Sequence, residues 1–341
     1  MLILGKQYTK NNPGKIGGVI VLFELFKKEL KINNIAFDVI DLNWRNYNNI
    51  IFAYFVITVK IITQIPKHKH ISFHGTANEF AWLAPVVVFW ANFNGKKVSL
   101  RKFAGNFIEI FEASHFFKKK LIRYSLSKSN INFFETKYLV NYFNKYNKNT
   151  YWFPNVRVKS AATRDISRPF NGKFVFLGHI ISEKGIDDIL SASKELPKDY
   201  SIDLYGPISN SKYNTPFFSK YCKVTYRGVV PPEQILQTLT QYDVLLLPSY
   251  WKGEGYPGVI IEALSVGLPV IATNLNGIKE IINDGCGFLI LPKSPAELVK
   301  AMKSFNKVNY EEYSQNALSR FSEFDSGIVT KRIIDELIHH S

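Results

Sequence analysis

The chain has 341 residues, 46% of them apolar and 21% charged, which excludes a disordered or fibrous polypeptide and is enough for two domains. Its two cysteines, Cys222 and Cys286, exclude a disulfide scaffold and lack metal-ligand spacing, so free thiols in a reducing cytoplasm are expected. The net charge of +15 lies wholly in the first half: residues 1–157 hold 23 Lys and Arg against 8 Asp and Glu, and residues 158–341 hold 20 of each.

Such asymmetry points the first half at something anionic: an acidic membrane surface, a lipid diphosphate or nucleic acid. A solvated basic surface is the plain alternative. The chain opens on a predicted strand, Met1–Leu4, too brief for the apolar core of a secretory signal. Gly17 and Gly18 follow, then a helix over Val19–Leu30; a glycine turn between strand and helix lets backbone approach a phosphate. Strands are predicted at Ala36–Asp41, at His70–His74 and at Val98–Arg101, with helices between them, so this half alternates as β/α. The apolar stretches Ile50–Ile65 and Phe80–Phe93 fall short of the roughly 20 residues that span a bilayer and read as mainly buried helices. His115–Arg123 mixes aromatic and basic residues, a pattern for a membrane interface or a solvated basic face. No nucleic-acid-binding motif accompanies it, and no nucleic-acid partner is expected.

Residues 158–172 read as a linker, which divides the chain into domains 1–157 and 158–341. The second half opens on a strand, Phe174–Leu177, followed by a turn with His179, Lys184 and Gly185 and a helix from Ile186. Further strands are Ile202–Tyr205 and Val224–Tyr226, the latter turning through Gly228 and Val229. The most informative stretch is Asp243–Gly287. Val244–Leu247 is an apolar run stopped by Pro248, as in a buried parallel strand. Lys252–Gly255 is a loop, and Pro257 suits the first helical position. The helix runs to about Val266, where Gly267 and Pro269 end it before the strand Val270–Thr273. The loop sits where such folds bind ligands, beyond the carboxyl ends of strands. Glu262 stands among aliphatic neighbours and needs hydrogen-bond donors. The vicinal diol of a ribose would supply two; a neighbouring protein loop would serve as well. The helix N-terminus suits a phosphate.

Glu254-x7-Glu262, set within Pro-Ser, Glu-Gly-Tyr-Pro, Glu-Ala-Leu and Gly-Leu-Pro-Val-Ile-Ala-Thr, resembles the signature of the family 4 retaining glycosyltransferases (group 1, GT-B fold). The resemblance implies two Rossmann-like domains facing a central cleft, with the last helix, Ile328–His340, crossing back to the first. It implies that Glu254 contacts the donor sugar, that Glu262 holds ribose, and that the backbone of Gly255, Tyr256 and Gly258 holds the diphosphate. Lys184 matches a diphosphate-gripping lysine, and His179 stands where the family has arginine. Gly17, Gly18, Gly228, Val229, Asn276 and Gly277 are implied to line the donor site. An acceptor histidine frequent in the family is replaced here by Arg101 and Lys102, leaving these two or His74 for the acceptor side. The implied activity is a nucleotide-sugar-dependent hexosyltransfer from a UDP- or GDP-sugar with retention, without metal or other cofactor. Its expected acceptor is a lipid-linked glycan of a bacterial surface polysaccharide, at the cytoplasmic face of the cell membrane. The alternatives are a glycosyltransferase with a soluble small-molecule acceptor and a non-catalytic nucleotide-sugar-binding protein.

Overall fold

The computed structural model describes residues 1–8, 17–162, 164–275, 277–282 and 285–340. The chain divides into two compact units. Unit 1 comprises 1–156 together with the segment from Ser326 onward, and unit 2 comprises Arg157–Asp325. Each is built on a six-stranded parallel sheet.

In unit 1 the strands are β1 (Leu2–Gly5), β2 (Asp38–Asp41), β3 (His70–Gly75), β4 (Lys97–Lys102), β5 (Ile131–Phe134) and β6 (Thr150–Trp152), in the order β2-β1-β3-β4-β5-β6. Helices α1 (Gly18–Ile32), α2 (Ile50–Gln64), α3 (Ala77–Phe93), α4 (Phe107–Glu112) and α5 (Phe116–Lys128) cover its faces. One core gathers Phe23 and Phe26 of α1 with Val329, Ile333 and Leu337 of the final helix, Ser326–His339. The other gathers the inward residues of α2, α3 and α5. The final helix thus belongs with the first unit, as the fold resemblance implied.

One expectation fails here. The run Ile50–Lys67 has a mean hydropathy of 1.5 and is long and apolar enough to cross a membrane, yet only 22% of it is buried. Of α2, only Ala53, Ile57 and Ile61 enter the core. The helix is apolar on nearly all sides, so composition could not tell its inner stripe from its outer one. Helix α3 meets the expectation of burial, with Phe80, Leu83, Ala84, Val87 and Val88 inside.

In unit 2 the strands are β7 (Lys173–Leu177), β8 (Ser201–Tyr205), β9 (Val224–Tyr226), β10 (Val244–Leu247), β11 (Val270–Thr273) and β12 (Gly287–Ile290). Their order is β12-β11-β10-β7-β8-β9. This is the doubly wound order, and it reverses between β7 and β10, the point where a ligand crevice opens at the carboxyl ends of the strands. Buried Asp243 fixes the start of β10 by accepting from Arg168 at 2.7 Å and from the backbone N–H groups of Asn171 and Lys173 at 2.9 Å each. The helix after β10 runs over Gly258–Ser265, with Pro257 just outside it as the cap, and Gly267 takes the left-handed conformation expected of it (φ +70°).

Candidate active site

The loops after β7 and β10 meet at the reversal point of the unit 2 sheet. A hydrogen bond staples them: the Tyr250 N–H donates to the Glu183 carbonyl at 2.8 Å, and the Ser249 hydroxyl oxygen lies 3.3 Å from the same oxygen. Gly185 makes the approach possible. Its φ is +79°, and a Cβ there would lie 2.2 Å from the Pro248 carbonyl oxygen. Gly185→Ala should therefore destabilise the protein by about 1–3 kcal/mol, seen as a lowered midpoint in chemical unfolding.

This staple brings together residues that the sequence holds seventy positions apart. The Lys184 ammonium donates to Glu254 Oε1, which also accepts from the Ser249 hydroxyl at 3.0 Å. Glu254 is buried, while Lys184 keeps part of its side chain in solvent. The carboxylate thus fixes the lysine's ammonium at the reversal point. His179 lies on the same β7 loop, exposed, with Nδ1 3.0 Å from the Ser209 hydroxyl.

Glu262 does not stand without donors. Its Oε1 accepts from Arg157 Nε at 2.6 Å, and both side chains are largely buried, 18% and 17% exposed. The protein therefore supplies part of what the sequence reading assigned to a ribose. The Arg157 guanidinium also covers the start of the helix: a Cβ placed on Gly258 would lie 1.6 Å from Nη2. Nothing local in the sequence marked Arg157, because its partner is 105 residues away. The other arm of the pairing, Arg157 N–H to the Phe324 carbonyl at 3.0 Å, anchors the backbone beneath it.

The remaining donor-side residues fall as follows. Gly255 and Tyr256 are buried; the Tyr256 hydroxyl donates to Glu280 at 2.6 Å and its ring meets Phe324 edge-on, so that ring faces the interior. Gly228 (φ +82°) accepts at its carbonyl from the Gly206 N–H at 2.8 Å, and Val229 beside it is exposed. Gly277 is buried at the start of a short helix, Ile278–Ile281. Asn276 lies outside the described residues. Gly17 caps α1 and Gly18 begins it in unit 1, and among the described residues no atom lies within 4 Å of where either side chain would start.

The acceptor-side expectations need correction. His74 is buried among the rings of Phe23, Phe26 and Phe103, with Nε2 2.9 Å from the Ser72 hydroxyl. Burial, with Arg101 nearby, holds its pKa well below the usual value, so it is a neutral core residue. Arg101 is buried too, stacked 3.2 Å from the Phe153 ring centroid and donating to the Pro154 carbonyl at 3.2 Å; burial lowers its pKa to about 9. Lys102 donates to the Phe103 carbonyl and lies over the Phe107 ring, its pKa pushed down to about 8 by burial. Lys102 lines a cavity of about 310 Å³ together with Asn78 and Asn106. β4 is a central strand, so both of its faces are covered and its cations turn inward.

Residues 168–320 match the family model of glycosyl transferases group 1. Among curated relatives, a Bacillus subtilis (strain 168) protein named as a teichuronic acid biosynthesis glycosyltransferase, TuaC, is 30% identical over 152 residues, which is 44% of this chain and 37% of the relative. The chain spans less than half the length of the curated relatives it matches first. Among solved structures, Anabaena HepE in complex with UDP superposes with a TM-score of 0.74 at 16% identity, covering 99% of this chain and 100% of the other. The lipopolysaccharide outer core galactosyltransferase WaaB gives 0.70 at 15% identity, covering 100% of both chains. The whole chain thus has the GT-B fold, and the unit that carries Lys184, Glu254 and Glu262 carries the match to the group 1 glycosyl transferases.

Proposed function

We propose that the protein is a retaining glycosyltransferase that moves a hexosyl group from a UDP- or GDP-sugar to a lipid-linked glycan in the building of a bacterial surface polysaccharide. The observation that carries this reading is the Lys184–Glu254–Ser249 cluster, set at the reversal point of a doubly wound sheet beside the start of the helix Gly258–Ser265. The names of the relatives, which concern teichuronic acid and lipopolysaccharide, support the acceptor class. The UDP held by a neighbour of the same fold supports the donor class.

In this reading the bond from the sugar's anomeric carbon to the diphosphate oxygen breaks while the acceptor hydroxyl bonds to that carbon on the same face. The acceptor's proton passes to the departing phosphate oxygen. Lys184, the free N–H groups of the helix start and the Arg157 guanidinium stabilise the charge that develops there. Glu262 keeps a second oxygen for ribose, since a carboxylate accepts about four hydrogen bonds. Fixed cations take the part a metal plays elsewhere, so turnover needs no metal. The enzyme works at the cytoplasmic face of the membrane that carries its acceptor.

A thermal-shift screen against UDP-, GDP-, ADP- and TDP-sugars tests the donor assignment. At saturation about a hundredfold above Kd, one base should stabilise the protein by about 2.7 kcal/mol and raise its melting temperature. Release of that nucleotide should persist in excess EDTA. No shift with any of the four would overturn the donor assignment, and loss of turnover in EDTA would overturn metal independence.

A further inference from the structure

Helices α2, α3 and α5 lie side by side over one face of the unit 1 sheet, with the Trp90 indole N–H of α3 donating to the Ile62 carbonyl of α2 at 2.8 Å. Their outward surface is not the polar one that a solvent-facing helix carries. On α2, Ile51 is 81% exposed and Phe55 66%, and Val59 and Ile62 continue the same stripe at helical spacing. On α3, the exposed rings of Phe89 and Phe93 stack on each other. On α5, Phe116 is 73% exposed and Phe117 stands beside it. Between α3 and α5 runs an apolar groove of about 450 Å³, walled by Pro85, Phe89, Phe117 and Tyr124. Single exposed apolar residues are ordinary, but a contiguous set across three helices marks a contact surface.

Charge identifies what covers it. Neither α2 nor α5 contains an Asp or Glu, and α5 carries Lys118, Lys119, Lys120, Arg123 and Lys128. Among the described residues, Lys119 pairs with a carboxylate, Glu112, at the end of α4. Exposed Lys67 and Lys69 follow the end of α2. A second copy would set this basic face against itself across a two-fold axis, where like charges repel. An anionic bilayer satisfies both features: rings enter the boundary between headgroups and acyl chains, and cations meet lipid phosphates.

We propose that the outer face of α2, α3 and α5 docks on an anionic lipid bilayer, lying in its surface. It does not span, because Ala53, Ile57 and Ile61 hold α2 in the core. This places the membrane contact chiefly on α2 and α3, beyond the His115–Arg123 stretch that the sequence singles out. The proposal builds on the reading of a membrane-borne acceptor. Its test uses neither donor nor turnover, so it fails or stands apart from that reading.

The full chain should co-sediment with phosphatidylcholine vesicles containing phosphatidylglycerol, far less with phosphatidylcholine alone, and less again in about 1 M salt. Phe55→Ser and Phe89→Ser should each weaken binding by about tenfold. Lys118→Ala and Lys120→Ala should each weaken it by about fivefold. Phe55, Phe89 and Lys120 are exposed and Lys118 is half-buried, so melting temperatures should stay close to the parent's, which separates lost docking from lost folding. Ring variants that bind like the parent would overturn the proposal. So would equal binding to both vesicle types, or a parent that ignores vesicles and instead forms a dimer that Phe55→Ser dissolves.

Discussion

Arg157→Ala should weaken nucleotide binding by about 1.5–3 kcal/mol, roughly ten- to a hundredfold in Kd, read by calorimetric titration with the responsive nucleotide. The argument rests on where the guanidinium stands. Nε is committed to Glu262 Oε1 at 2.6 Å, while Nη2 lies against Gly258 at the start of the helix that follows the Glu254 loop. In the proposed complex that is the position of the diphosphate, and a planar fork of donors binds phosphate better than a point charge. The β7 loop offers only His179 where the resembled family has arginine, and Arg157 supplies a guanidinium from another part of the chain. Arg157→Lys should then recover only part of the affinity. Glu262→Ala should also weaken binding, by removing the ribose acceptor and by releasing the guanidinium from its set position. The two losses should not add, because the side chains touch. If Arg157→Ala binds nucleotide more tightly than the parent, the arginine is a plug and the assignment falls.

Much of unit 2 was legible because its signals are local. The run Val244–Leu247 ends at a proline, Gly267 caps the following helix in the left-handed region, and the strand that follows opens on the apolar run Val270–Ala272. The short strands β5, β6 and β12 went unread: three or four residues give too little pattern, and β6 and β12 are only partly buried. Long-range pairing was the second blind spot. Arg157 gains its meaning only from Glu262, and no spacing rule links positions so far apart. The third lay in reading charge as surface. Arg101 and Lys102 are cations in sequence, yet the central position of β4 and the rings of Phe153 and Phe107 enclose them. The reverse error hid α2, whose apolar residues face outward as well as inward. Burial is a property of the neighbours an element acquires, so an element that is charged or apolar on all sides leaves it undetermined.

Lys184→Ala should lower kcat by about 10²–10³-fold while changing nucleotide affinity much less, as expected for a donor aimed at charge that appears only in the transition state. The geometry fixes the lysine in place. The Tyr250 backbone fastens the β10 loop to the β7 loop, and buried Glu254 takes the ammonium on the oxygen that Ser249 also donates to. Glu254→Ala should therefore act twice, removing the proposed contact to the sugar and freeing the lysine, and should reduce kcat at least about tenfold with the nucleotide still bound. Glu254→Gln keeps an acceptor for Ser249 but gives up the ion pair, so its turnover should fall between those of the parent and the alanine variant. The Lys184→Ala, Glu254→Ala double variant should be worse than Lys184→Ala alone by less than the full Glu254→Ala loss, because once the ammonium is gone only the sugar contact remains to be lost. Steady-state rates for the four proteins, with the nucleotide Kd of each, decide the matter. Additive losses would mean that the two side chains act independently, and a kcat for Lys184→Ala within about twofold of the parent would remove the reversal point of this sheet from the chemistry.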